Sequence, residues 1–148
     1  MFTSCVFYRE PKAALRWLQQ AFGFEVTLLV EGPDGDERYI HSQLSLGGEG
    51  QLMVGGEWSE WAKSPRAVSG NNTQMVRVML RADVDAHCER ARAAGAVIVQ
   101  EPKTEFYGDR TYRCTDLEGH HWTFAQTMQQ LSTAEMEQAG GVKIRSSL

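Results

Sequence analysis

The sequence predicts an α+β fold made of two βαβββ repeats, whose curved mixed sheets surround a cup. Two observations carry that expectation. Helical patterns that end at Gly23 and Gly95 lie 72 positions apart, and superposing them also aligns the strand patterns on either side. Each helix is preceded by one strand pattern and followed by three, whereas a ferredoxin-like or doubly wound sheet alternates helices with one or two strands. One four-stranded sheet with one helix covers only one of its faces, so such a unit needs a second. A chain of 148 residues, 42% hydrophobic and 23% charged, is long enough and apolar enough to bury one core without staples.

The elements follow in order. Residues 3–8 are rich in β-branched and aromatic side chains. Pro11 then stands where a helix begins and where its missing N–H costs nothing. Ala14, Leu15, Leu18, Ala21 and Phe22 recur at helical spacing, and Gly23 supplies the left-handed stop. Residues 26–31 read as a strand, Gly32-Pro33-Asp34-Gly35 as a turn, 39–46 as the returning strand and 51–54 as the next, after a glycine turn at 47–50. The order repeats with a strand at 74–80, a helix at 84–94, a strand at 97–100 that Pro102 is expected to end, and a hairpin of 111–115 with 121–126 around Asp116-Leu117-Glu118-Gly119. The expected organisation is a single domain over 1–127, with module one at 1–56, a linker at 57–72 and module two at 73–127. A tail at 128–148 follows, in which Ser132 and Glu135 have the capping-box spacing for a short helix.

Bulk properties exclude several function classes. The net charge is −4, and Lys and Arg are scattered without a run, so nucleic acid is not an expected partner. No stretch reaches the roughly 18 apolar residues of a membrane span and the first residues lack a leader pattern, so no membrane is expected and the location is read as cytoplasmic. Cys5, Cys88 and Cys114 form neither a disulfide framework nor a zinc pattern and read as small buried hydrophobes. There is no Gly-x-Ser-x-Gly elbow, and Gly47-Gly48-Glu49-Gly50 precedes a strand, so it is no phosphate cradle.

The four histidines are candidates of interest because imidazole both ligates metals and titrates near neutrality. His120 and His121 are adjacent on a strand start and point to opposite faces. His87 is expected on an exposed helix face. His41, mid-strand, is a candidate ligand contact, with a hydrogen-bonded structural role as its plainer reading.

Four segments, YREPKAALRWLQQAFGFE (8–25), ADVDAHCERARAAGA (82–96), FYGDR (106–110) and TDLEGHHWTFAQ (115–126), resemble the glyoxalase/bleomycin-resistance/dioxygenase superfamily, also called vicinal oxygen chelate proteins, and in particular its PhnB-like branch. The resemblance implies paired βαβββ modules forming a cup, and a homodimer in which one cup can be completed by the other subunit. It implies no single reaction, since metal-dependent isomerases, ring-cleaving dioxygenases and metal-free drug-binding proteins share the fold. Where members place metal ligands, this sequence has Thr3, Met53, Met75 or Val76, and Thr123. None is a usual ligand for the divalent cations involved, so the expected cofactor set is none and the expected metal set is none.

The expected partner is a small organic molecule, aromatic or cationic, bound by stacking and desolvation. Candidate contacts are Trp58 and Trp61 in the linker, Tyr107 and Arg110 in the FYGDR segment, Trp122 on the last strand, and His41. Each keeps its plainer alternative: Trp122 as core, the linker indoles packed over the sheet, and Arg110 fastened to Asp109, Asp116 or a carbonyl. Glu57, Glu60 and Glu105 border the aromatics and would suit a flat cation. The rival readings are a metal-dependent isomerase or dioxygenase with displaced ligands, drawn from His41, His121 and Gln74, and a dimeric interaction module with a vestigial cup.

Overall fold

The computed structural model describes residues 3–147. Module one runs β1 (Ser4–Tyr8), α1 (Pro11–Phe22), β2 (Glu25–Val30), β3 (His41–Leu46) and β4 (Glu49–Gly56), and module two runs β5 (Met75–Met79), α2 (Val84–Ala93), β6 (Val97–Thr104), β7 (Asp109–Thr115) and β8 (His121–Thr127). A tail helix, α3 (Thr133–Gly140), carries the reciprocal Ser132 and Glu135 capping bonds. The two four-stranded sheets have the same order, β1-β4-β3-β2 and β5-β8-β7-β6. In each, the first strand pairs parallel with the last and the other pairs are antiparallel. These are two βαβββ repeats with mixed sheets, as the 72-residue offset predicts.

Strand alternation divides each sheet into a face turned to the helices and a face turned away. Val6, Tyr8, Leu52, Val54 and Leu44 on the first sheet, and Tyr112, Cys114, Trp122 and Phe124 on the second, join one buried core with Leu15, Leu18, Phe22, Val84 and Cys88 of the helices. Phe22 of α1 reaches across to the second sheet, with its ring 5.1 Å from Trp122 and 4.6 Å from Phe124. Both helix-covered faces therefore share a single interior. The opposite faces, carrying Cys5, Phe7 and Met53 on one sheet and Met75, Arg77 and Met79 on the other, are left without a helix.

Polar contacts at both ends help to bind the modules. At one end the Trp17 indole N–H donates to the Ala94 carbonyl (2.7 Å), and Arg90 donates to the carbonyls of Gln20 (2.7 Å) and Gln19 (2.9 Å). At the other end Glu118, buried in the β7–β8 turn, accepts the backbone N–H groups of Arg9 (2.8 Å) and Glu10 (3.0 Å). The start of α1 has no side-chain cap of its own, so a carboxylate from the other module satisfies amides beside a helix N-terminus.

The structure corrects three local expectations. Strand β6 continues through Pro102 to Thr104, because it is an edge strand with a register irregularity between Gln100 and Lys103, where a missing N–H breaks no ladder. The stretch before β3 is a 3-10 turn, Glu37–Tyr39, capped by Asp36 accepting from the Arg38 N–H, so the strand starts at His41. His87 is half-buried, not exposed. Its Nε2 donates to the Phe22 carbonyl (3.0 Å), which leaves Nδ1 to accept from the Tyr112 hydroxyl (2.7 Å), and burial lowers its pKa.

Candidate functional site

A cavity of about 500 Å³ lies on the helix-free face of the first sheet, lined by Cys5 and Phe7 of β1, His41 of β3, Met53 and Gly55 of β4, Tyr39 and Ile40 before β3, and Trp58 and Trp61 of the linker. Alternation places Cys5 and Phe7 opposite Val6 and Tyr8, and register brings His41 beside Gly55 and Cys5 beside Met53. Glycine matters at two points. A Cβ on Gly55 would stand 3.3 Å from the Phe7 ring, and one on Gly56 would meet the backbone carbonyls of Glu37 and Arg38. Their absence lets Phe7 lie flat on the strand and lets the 3-10 turn close against β4, which sets Tyr39 at the rim.

The linker is held by its own short hydrogen bonds. Trp58 N–H donates to Gly56 O (3.0 Å), Ala62 N–H to Ser59 O (3.2 Å), and Ser64 N–H to the Glu57 carboxylate (2.9 Å). This fold-back presents the two indoles to the cavity edge to face, 5.0 Å apart at 83°, with Trp61 also 5.6 Å from Phe7 at 84°. Trp58 is 50% and Trp61 68% exposed, so most of the second indole is open to a ligand or a partner. None of the lining side chains bears a permanent charge. Burial pushes the Cys5 thiol pKa up, which keeps it neutral and weakly nucleophilic.

Of the residues singled out in the sequence, His41, Trp58 and Trp61 share this cavity. Tyr107 lies elsewhere, with the Arg77 guanidinium 5.8 Å from its ring centre and Arg77 bound to Asp109 at 2.5 Å. Arg110 is engaged by Asp85 in the first turn of α2 through two bonds of 2.7 Å. Trp122 is fully buried and donates to Asp116 at 3.0 Å. Of the acidic side chains, Glu57 is tied to Ser64 N–H, and Glu105 is paired with Lys103 at 3.2 Å and accepts from Thr111. Cys5, Phe7, Tyr39 and Met53 were not singled out as contacts, although the alternation of β1 and β4 carries the signal for three of them.

The donor chemistry of this chain does not fit the metal that the fold implies. Thr3 donates to the Gln51 amide oxygen (3.3 Å), and the Thr123 hydroxyl is turned onto the Met75 sulfur (2.8 Å). Met53 offers a thioether, and Gln74 uses its amide on the Cys5 carbonyl (2.8 Å). Among the described residues no three His, Cys, Asp or Glu side chains converge on a common point. Hard and borderline divalent ions need oxygen or imidazole donors at about 2.0–2.6 Å, and hydroxyls and thioethers committed to each other do not supply them.

Residues 3–124 match the sequence profile of the Glyoxalase/Bleomycin resistance protein/Dioxygenase superfamily. The chain is 31% identical over 137 residues to an uncharacterized protein of Mycobacterium bovis, covering 88% of this chain and 85% of the relative. Among solved structures it is similar to TioX from Micromonospora sp. ML1, with 33% identity, a TM-score of 0.67, and 85% and 97% of the two chains covered. It also shares its fold with TnmS3, described as an antibiotic binding protein from Streptomyces sp. CB03234, at 20% identity and a TM-score of 0.63, covering 84% of this chain and 93% of that one. No helix among the described residues is long and apolar enough to cross a membrane.

Proposed function

This chain belongs to the Glyoxalase/Bleomycin resistance protein/Dioxygenase superfamily, and we propose that within it the protein binds a small aromatic or cationic organic molecule without breaking a bond. The observation that carries this is the pair of exposed indoles over an uncharged cavity containing His41. Aromatic walls give a flat ligand large contact area, and their electron-rich faces attract a cation where a metal's donors are missing. The fold shared with TnmS3, an antibiotic binding protein, supports the same reading. The four sequence segments also support the PhnB-like branch as the subgroup.

A second copy completes the site in this reading. Within one chain the cavity is lined only by residues 5–61, and the helix-free face of the second sheet leaves Met75 and Met79 each 50% exposed. Apolar area of that kind marks an interaction surface. In a homodimer the outward face of one chain's first sheet is roofed by the second sheet of its partner, with Tyr107 and Arg77 on the approaching side. A reading as a metal enzyme gains no support, because the available donors do not form a ligand set.

The test is a titration of intrinsic tryptophan fluorescence with a planar aromatic cation such as ethidium, compared with a neutral ring compound of similar size. Saturable quenching is expected, and Trp58→Ala and Trp61→Ala should each weaken binding by about tenfold, near 1.4 kcal/mol. Affinities unchanged in both variants would reject the indole wall.

A further inference from the structure

A second and larger cavity, of about 750 Å³, opens between the modules on the helix-facing side of the sheets. Its walls include Phe22 at the end of α1, Phe24 beyond it, Leu44 of β3, Val76 and Val78 of β5, and Leu80 just after β5. The two cavities share no lining residue, so this space is separate from the indole-lined cavity on the other side of the first sheet. Its size falls within the range of small-molecule pockets, roughly 300–1,000 Å³.

Ser4, Ser45 and Gln51 add polar groups to the lining, but its imidazole and guanidinium groups are committed. Both His87 nitrogens are bonded within the protein, Arg90 donates to the carbonyls of Gln19 and Gln20, and Arg77 is paired with Asp109. At the rim Glu49, the first residue of β4, meets Arg81 beyond β5 at 2.5 Å, both well exposed, which ties module one to module two across the mouth. Rings and aliphatic groups make up most of its wall, and such surfaces hold water poorly while accepting apolar molecules.

We propose that this inter-module cavity is a second binding site, for a neutral, largely hydrocarbon ring compound that enters past the Glu49–Arg81 ion pair. The site requires neither the indole wall nor a partner subunit, so it stands or falls independently of the function proposed above.

The probe is N-phenyl-1-naphthylamine, a neutral aromatic that fluoresces in apolar surroundings, titrated into the full chain. Saturable enhancement is expected, with methyl NMR shifts concentrated at Leu44, Val76, Val78 and Leu80. Val78→Phe, which fills the space, should weaken binding by about tenfold or more, and the double variant Trp58→Ala, Trp61→Ala should stay within about twofold of the parent. The methyl shifts are read on the unsubstituted chain, so they decide the matter even if Val78→Phe fails to fold. Loss of binding in the double variant with retention in Val78→Phe would overturn the proposal, as would absence of saturation.

Discussion

Replacing Asp116 by alanine should uncouple the two modules, and the cost follows from the contacts it removes. The Asp116 carboxylate accepts four hydrogen bonds: Tyr8 O–H at 2.5 Å, and Trp122 Nε1–H, Glu118 N–H and His120 N–H each at 3.0 Å. Tyr8 and Trp122 are fully buried, so their donors cannot turn to water. Each orphaned buried donor costs about 1–3 kcal/mol, which puts Asp116→Ala near 4 kcal/mol, a large share of the roughly 5–15 kcal/mol that holds a domain together. Urea unfolding followed by far-ultraviolet circular dichroism measures it, and the melting temperature should fall by about 10 °C. The sign of a second substitution is the sharper check. Tyr8→Phe should cost about 1 kcal/mol in the parent, where it removes a good bond, but should be neutral or stabilising beside Asp116→Ala, where it removes an unpaired hydroxyl. Equal losses in both backgrounds would refute the account, as would a cost below about 1 kcal/mol for Asp116→Ala itself.

Five further outcomes follow from the structure. Burial lowers the His87 pKa, so the unfolded chain takes up the proton first; stability, complete above about pH 6.5, should fall on acidification, and His87→Gln should flatten that limb in urea midpoints taken at pH 7.5 and 5.5. Burial pushes the Cys88 and Cys114 thiols up to about 11 and about 12, so at pH 8 a disulfide reagent should modify Cys5 first and reach the other two only on unfolding. The same raised thiols, with the raised Tyr8 hydroxyl, make the unfolded state lose protons first, so stability should decline as pH rises above about 9. Gly56→Ala sets a Cβ against two backbone carbonyls and should cost about 1–3 kcal/mol, with weaker ligand quenching as Tyr39 and Trp58 shift. If a second copy roofs the site, ethidium affinity should fall as the protein is diluted below its dimer dissociation constant, as read by analytical ultracentrifugation beside the titration; a monomer binding equally well at every concentration would remove the partner from the site.

Local periodicity carried most of the fold. The α1 stripe, with Pro11 at its start and Gly23 at its end, and the matched hairpins were readable because each depends on neighbours within a turn or a strand. What escaped depends on distant neighbours. Pro102 reads as a strand stop only if the strand is central, and β6 is at an edge. His87, at i+3 from Val84 and i−4 from Ala91, sits at the edge of the Val84, Cys88, Ala91 stripe, but the C-terminal end of α1 that covers it is a contact no short window contains. Arg110 was given three carboxylate or carbonyl options nearby, while its partner Asp85 sits 25 positions away on a helix that crosses the sheet.

The candidate site was harder to read for a related reason: a side chain's face in a strand is legible, but what that face meets is set by how the modules pack. With both helix-covered faces spent on one interior, the side chains that alternate outward on β1 and β4 are covered, among the described residues, by the linker and the turn before β3 and not by a helix. That explains why Trp58 and Trp61 lie on the sheet without being sealed into it, and why Phe7 touches Trp61 rather than a helix. It also separates the roles of the tryptophans. Trp122 follows the inward alternation of β8 and is anchored by a buried carboxylate, so its loss would be felt as instability, whereas the linker indoles bear on few core atoms and their loss would be felt in binding. The same sequence letter therefore serves packing at one position and recognition at another, according to which side of its sheet it reaches.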